Sequence, residues 1–193
     1  MQKKLSLLYC FIDEYNPSEL SNLSKNTKII YRNYKKNIDI STLILIRNYC
    51  KKNRIKLFIS NEIKIAIKYK LDGVYIPAFN QQINFIKFLL PKNFQIIGSA
   101  HNNIEILIKE KQGCSVIFLS PIFKVMKKKY FLDVVKFNLL TLNKTNKFVA
   151  LGGISKKNKN KLNLLNIWGF AGISYFQKKT ASKRGRLNNL IGI

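Results

Sequence analysis

The chain is short of acid: nine Asp and Glu stand against 35 Lys and Arg in 193 residues, a formal net charge of +26. It is also short of metal-binding chemistry. There is one histidine, His101, and three cysteines, Cys10, Cys50 and Cys114, stand far apart with no CxxC pair. A zinc site needs closely spaced His and Cys ligands, so that class is excluded. Isolated thiols in apolar runs read as core residues of a protein kept in a reducing compartment. No run of about 18 uncharged apolar residues occurs, which excludes a membrane-spanning helix. The basic start, Met1-Gln2-Lys3-Lys4-Leu5, leads into a short apolar stretch that meets Asp13-Glu14 without a small-residue cleavage site. It reads as a first strand rather than an export signal, and the chain as cytoplasmic.

Hydrophobic residues make up 47% of the chain and aromatics 12%, enough to bury a core and to exclude disorder. The positive charge taken alone suggests a polyanion partner. Its make-up argues otherwise. The basic residues are 30 Lys and only 5 Arg, and Asn (22) and Ile (27) are inflated with them. These three residue types share A/T-rich codons, and the lysines are scattered along the chain. A nucleic-acid reader relies more on Arg, whose planar fork grips phosphate and guanine. A biased genome with small phosphate-bearing substrates is the preferred reading, and a nucleic-acid binder the reading from a different class.

Short apolar runs alternate with helical patterns from end to end. Strands are predicted at 5–12, 28–31, 56–59, 73–76, 95–97, 116–119, 148–151 and 170–174. Helices are predicted at 17–24, 40–52, 62–69, 82–90, 103–110, 132–142 and 156–165. Continuous apolar strands are those covered on both faces. Ser60 or Asn61 can cap the third helix, and Ser155 the seventh. Eight strand–helix units predict an α/β fold, a single-domain (β/α)8 barrel over 1–176 with a basic tail or docking helix over 177–193. A doubly wound open sheet is the alternative.

In such a barrel, function sits where strands end. The residues there include Arg32 and Lys35, Asn61 and Glu62, Asn80, Ser99 and His101, Lys128, Gly152-Gly153, and Ile173-Ser174. Cations, hydroxyl donors and a glycine pair that lets backbone N–H groups approach an anion are phosphate-binding types. Each also has a plain structural reading. The glycines can be a tight turn, His101 can be bonded to backbone, and Lys127-Lys128-Lys129 can be a solvated loop.

At these residues the chain resembles the family of thiamine-phosphate synthase and its relative, the thiazole tautomerase TenI. Phe58-Ile59-Ser60-Asn61-Glu62 resembles the family's Phe-Ile-Ile-Asn-Asp. Leu71-Asp72-Gly73-Val74-Tyr75-Ile76 resembles Ala-Asp-Gly-Val-His-Leu, and Ser120-Pro121-Ile122-Phe123 resembles Gly-Pro-Ile-Phe. Val149-Ala150-Leu151-Gly152-Gly153-Ile154 resembles Val-Ala-Ile-Gly-Gly-Ile. Tyr31-Arg32-Asn33-Tyr34-Lys35 resembles the end of the second strand, Gln-Leu-Arg-x-Lys, and Gly98-Ser99-Ala100-His101 resembles a shortened Gly-x-Ser-x-His. The loop after the sixth strand has the synthase form and lacks the histidine of the tautomerase branch.

The resemblance implies a transferase of thiamine biosynthesis that joins a hydroxymethylpyrimidine diphosphate to a thiazole phosphate. It implies that Arg32, Lys35, Ser99 and Lys128 hold the diphosphate, with Arg32, Lys35 and Lys128 as the catalytic cations. It implies that Asn61 orients the pyrimidine, with Tyr31 at the strand's Gln position. The thiazole phosphate falls to Gly152, Gly153, Ile173 and Ser174. Magnesium is implied too. The first family Asp aligns with Glu62, and the second aligns near the neutral Asn80, so the site loses charge. The second functional reading is a degenerate family member that binds phosphorylated thiazole or pyrimidine without joining them. The sequence is compatible with a homo-oligomer.

Overall fold

In the computed structural model, residues 5–33, 38–83, 88–126, 129–172 and 175–176 are described. Eight parallel strands close on themselves in chain order. They are β1 (Leu7–Ile12), β2 (Thr27–Tyr31), β3 (Leu57–Ser60), β4 (Gly73–Ile76), β5 (Gln95–Ala100), β6 (Val116–Leu119), β7 (Lys147–Leu151) and β8 (Gly169–Gly172). The helices are α1 (Pro17–Ser21), α2 (Ile40–Lys52), α3 (Ile63–Lys68), α4 (Asn103–Lys111) and α5 (Asp133–Thr141), with a 3₁₀ segment at Lys159–Leu164. This is the (β/α)8 barrel, and the open sheet is excluded by the β1–β8 pairing. Among the described residues, no helix is long and apolar enough to cross a membrane.

The period-2 alternation of each strand sorts its side chains into two cores. One set fills the barrel: Tyr9, Phe11, Ile30, Phe58, Tyr75, Ile97, Val116, Phe118, Val149 and Ala171. Five aromatic rings dominate it, with edge contacts such as Tyr9 with Phe118 at 4.9 Å and Phe11 with Tyr75 at 5.1 Å between centroids. The intervening residues, such as Ile29, Ile59, Val74 and Ile117, join Leu43, Ile46, Ala66, Ile106 and Phe137 in the layer beneath the helices. Burial on both faces is why the strands read as unbroken apolar runs. All three cysteines are buried and free.

Two expectations fail. The stretch predicted as a helix at 82–90 has no regular structure at 81–83 or 88–90, and 84–87 lies outside the described residues. Its backbone is bound elsewhere: Gln82 N donates to Asn80 Oδ1 at 2.9 Å, and Gln82 O accepts from Gln112 Nε2 at 2.8 Å. Phe88 and Leu90 pack on the outer core without a helix. The seventh helix is a 3₁₀ segment that starts at Lys159. Ser155 does not cap it; its N–H donates to Asn158 Oδ1 at 2.8 Å, and Asn158 Nδ2 donates to Gly153 O at 2.8 Å. The 177–193 tail lies outside the described residues.

Candidate active site

Strand ends β1, β2, β7 and β8 meet in a cavity of about 200 Å³ at the C-terminal mouth. Phe11, the last inward aromatic of β1, is one wall, and the Arg32 guanidinium lies 4.6 Å from its ring centroid. That packing holds the guanidinium against an apolar face. Gly152 and Gly153 line the same cavity. Both have positive φ, +89° and +71°. A Cβ on Gly153 would stand 2.4 Å from Phe123 O, so only glycine allows the β6 loop and this turn to meet. The pair is thus both a close approach and the lining of an anion-sized hollow.

On the neighbouring side, Tyr75 and Ser99 face inward from β4 and β5. The Tyr75 hydroxyl donates to Ser99 Oγ at 2.9 Å, and Ser99 is 5% exposed. Accepting that bond directs the Ser99 hydroxyl proton to another acceptor. Asn61 turns out of β3 with φ +67°, and its Oδ1 accepts from Asn80 Nδ2 at 2.6 Å. This amide pair bridges the ends of β3 and β4. Glu62 stands at the N-cap of α3 and makes no capping bond, so neither Ser60 nor Asn61 nor Glu62 caps that helix by side chain. His101 closes the gap to β6: its Nδ1 lies 2.5 Å from Ser120 O, so that nitrogen carries the proton.

Tyr31 stands apart. It is 1% exposed and packed in the strand–helix layer, not in the barrel lumen. The Gln position of the resemblance is therefore filled by an outward core residue, because period 2 makes Ile30 the inward side chain. Lys35, Lys128, Ile173 and Ser174 lie outside the described residues. Among the described residues, no three His, Cys, Asp or Glu gather as a metal cage. The nearby donors are one carboxylate, Glu62, and an Asn80 amide already bonded to Asn61. A magnesium ion held here would have Glu62 as its one protein carboxylate and would draw the rest of its oxygen shell from elsewhere.

Sequence reasoning missed Lys109. It is 0% exposed, on the face of α4 that also buries Ile106 three residues earlier. Its ammonium donates to Pro77 O at 2.9 Å, Asn80 O at 2.7 Å and Gln112 Oε1 at 2.8 Å. Gln112 adds a bond to Asn80 O at 2.9 Å. The loop carrying Asn80 is thereby anchored from below, and through it the Asn61 amide. A lysine at a core-facing helix position was the available signal. Burial pushes the Lys109 ammonium from its ordinary 10.5 down to about 8. Lys109→Met is expected to lower stability by about 2 kcal/mol, because Gln112 Oε1 loses its donor and two carbonyls keep one partner each. Between pH 8 and 10.5 the folded lysine sheds its proton while the unfolded one keeps it, so the native state binds fewer protons and stability rises with pH. Urea denaturation across that window should therefore show the gap between wild type and Lys109→Met widening; a constant gap would contradict the lowering of the Lys109 pKa by burial.

Comparisons with known proteins point the same way. The profile of a family described as thiamine monophosphate synthase matches residues 24–176. A thiamine-phosphate synthase of Prochlorococcus marinus subsp. pastoris is 33% identical over 141 residues, 70% of this chain and 40% of the relative. One from Helicobacter pylori is 29% identical over 153 residues, 76% of this chain and 68% of the relative. The chain thus spans less than half the length of the first of these relatives. A thiamine phosphate pyrophosphorylase from Pyrococcus furiosus shares the fold, with a TM-score of 0.73 at 20% identity over 99% of both chains.

Proposed function

The chain belongs to the thiamine monophosphate synthase family, and from that premise we propose that it joins a hydroxymethylpyrimidine diphosphate to a thiazole phosphate. The pyrimidine-methylene carbon–oxygen bond breaks, and its electron pair leaves on diphosphate. The thiazole nitrogen lone pair then forms the new carbon–nitrogen bond. The observation that carries the reading is the single mouth shared by Arg32 and the Gly152-Gly153 turn, beside the Tyr75–Ser99 and Asn61–Asn80 pairs. Such a reaction asks the protein for position and charge rather than for a nucleophile.

In this proposal Arg32 and the Ser99 hydroxyl hold the diphosphate, joined by Lys35 and Lys128. Asn61, its oxygen fixed by Asn80, offers its Nδ2 donors to the pyrimidine. Gly152 and Gly153, with Ile173 and Ser174, receive the thiazole phosphate. Glu62 would hold a magnesium ion, which supplies charge neutralisation for the departing diphosphate. Three buried free thiols support a cytoplasmic setting. Glu62→Ala is expected to raise the magnesium concentration for half-maximal product formation at least tenfold. A magnesium titration equal to that of wild type would remove Glu62 from the metal role; no product from either protein at any magnesium concentration would instead favour the reading as a binding-only family member.

A further inference from the structure

At the end of the barrel opposite the mouth, the last turn of α2 and the turns that lead from α2 into β3 and from α3 into β4 surround a cavity of about 330 Å³. Five cationic side chains line it: Arg47, Lys51, Arg54, Lys56 and Lys70. Two of the chain's five arginines are among them. The one carboxylate there, Asp72, accepts from Leu57 N at 2.9 Å. Arg47 Nε donates to Tyr69 O at 2.6 Å, which fixes its guanidinium at the wall. Among the described residues, none of the five is ion-paired; the ion pair recorded is Lys144 with Glu110. A concave site lined by one sign of charge concentrates the opposite sign.

The backbone supplies a second, independent observation. Six non-glycine described residues have positive φ, and four of them are Asn or Asp, which tolerate it. The other two are Arg54 (+54°) and Lys70 (+51°), and both line this cavity. Each directly follows a helix C-cap, Asn53 of α2 and Tyr69 of α3, at the position glycine normally takes. Helix-dipole stabilisation does not account for them, since Lys51 and Lys52 already stand in the last turn of α2 and Lys68 in that of α3. Codon bias spreads lysine along a chain; it does not place two long cations in left-handed backbone around one hollow.

We propose that this basal cavity binds the phosphate groups of a second ligand, a multiply charged phosphate of roughly nucleotide size, apart from the mouth where the reaction is placed. The volume is at the small end of ligand sites, about 300–1,000 Å³. It suits a di- or triphosphate between the planar fork of Arg54 and the ammonium groups.

The test is calorimetric titration of the full chain with inorganic tripolyphosphate at about 0.15 M salt. Four proteins are compared: wild type, Arg54→Gly/Lys70→Gly, Arg32→Ala and Lys25→Ala/Lys92→Ala, which removes two exposed charges outside the cavity. The double glycine variant is expected to melt several degrees higher, because strain is relieved, and to lose basal-site affinity at least tenfold. Arg32→Ala should keep that class of binding. A gain in heat stability with binding unchanged would assign Arg54 and Lys70 a structural role only and overturn the proposal. So would an equal loss in Lys25→Ala/Lys92→Ala, disappearance of the class in Arg32→Ala, or no such class in wild type. Competition identifies the source of the phosphate: displacement by ATP but not by a short single-stranded RNA marks a free nucleotide, and displacement by the RNA marks its backbone. Either upholds the site.

Discussion

Arg32→Ala is expected to lower kcat/KM for thiamine phosphate formation by about two to three orders of magnitude. Arg32 is the described cation of the mouth, packed on Phe11 at 4.6 Å and facing the same cavity as Gly152 and Gly153. In the proposed reaction negative charge grows on the departing diphosphate, and removing one preorganised donor to such charge costs about 100–1,000-fold in comparable sites. Arg32→Lys keeps the charge and loses the planar fork, so it should recover only part of the rate. The split between constants is informative. An equal fall in kcat and kcat/KM marks an interaction made in the transition state, whereas a rise in KM alone marks uniform binding of the diphosphate. Stability should change by no more than about 1 kcal/mol, the scale of a cation–aromatic contact. Loss of activity with a matching loss of folded protein would contradict the assigned role.

Gly169→Ala is expected to lower stability by about 4 kcal/mol or more. Gly169 pairs with Leu7 where β8 closes on β1, and a Cβ there would stand 1.6 Å from Leu7 O and 2.4 Å from Leu7 C. No rotamer relieves a clash with backbone. The seam must widen, and the pairs Leu8–Phe170 and Tyr9–Ala171 open with it. Losses of this size belong to a few mechanisms, overpacking of a closed core among them. Gly113→Ala is the control. The nearest atom to its Cβ is 4.0 Å away, so only its φ of +76° resists substitution, at about 1 kcal/mol. Urea denaturation should show a much lower midpoint for Gly169→Ala than for Gly113→Ala. Equal midpoints would mean that the seam yields without opening.

The barrel was legible in the sequence because burial on both faces leaves a plain mark. The runs Gly73-Val74-Tyr75-Ile76 and Val116-Ile117-Phe118-Leu119 are strands with the predicted bounds. The 82–90 stretch misled because its described part is irregular: Phe88 and Leu90 pack on the outer core without a helix, Gln112 holds Gln82 O, and Lys109 and Gln112 hold the preceding Asn80 O. Those two residues are polar in sequence and buried in the fold, and nothing local marks a lysine as buried. Arg32, Asn61, Ser99 and the glycine pair stand at strand ends, as their places in the sequence predicted. Tyr31 was misplaced by one step of the strand period: next to a correctly placed Arg32, it points into the outer core. The Asn61–Asn80 bond joins residues far apart in sequence, and only the strand order brings them together.

The most direct test of the account is a stoichiometric assay. Purified protein is mixed with the pyrimidine diphosphate, the thiazole phosphate and magnesium, and both thiamine phosphate and diphosphate are quantified against a magnesium-free control. The account predicts magnesium-dependent formation of the two products in a one-to-one ratio. Absence of product from folded protein that the same ligands protect against heat would contradict it, and would mean that this mouth binds the two phosphates without joining their carriers.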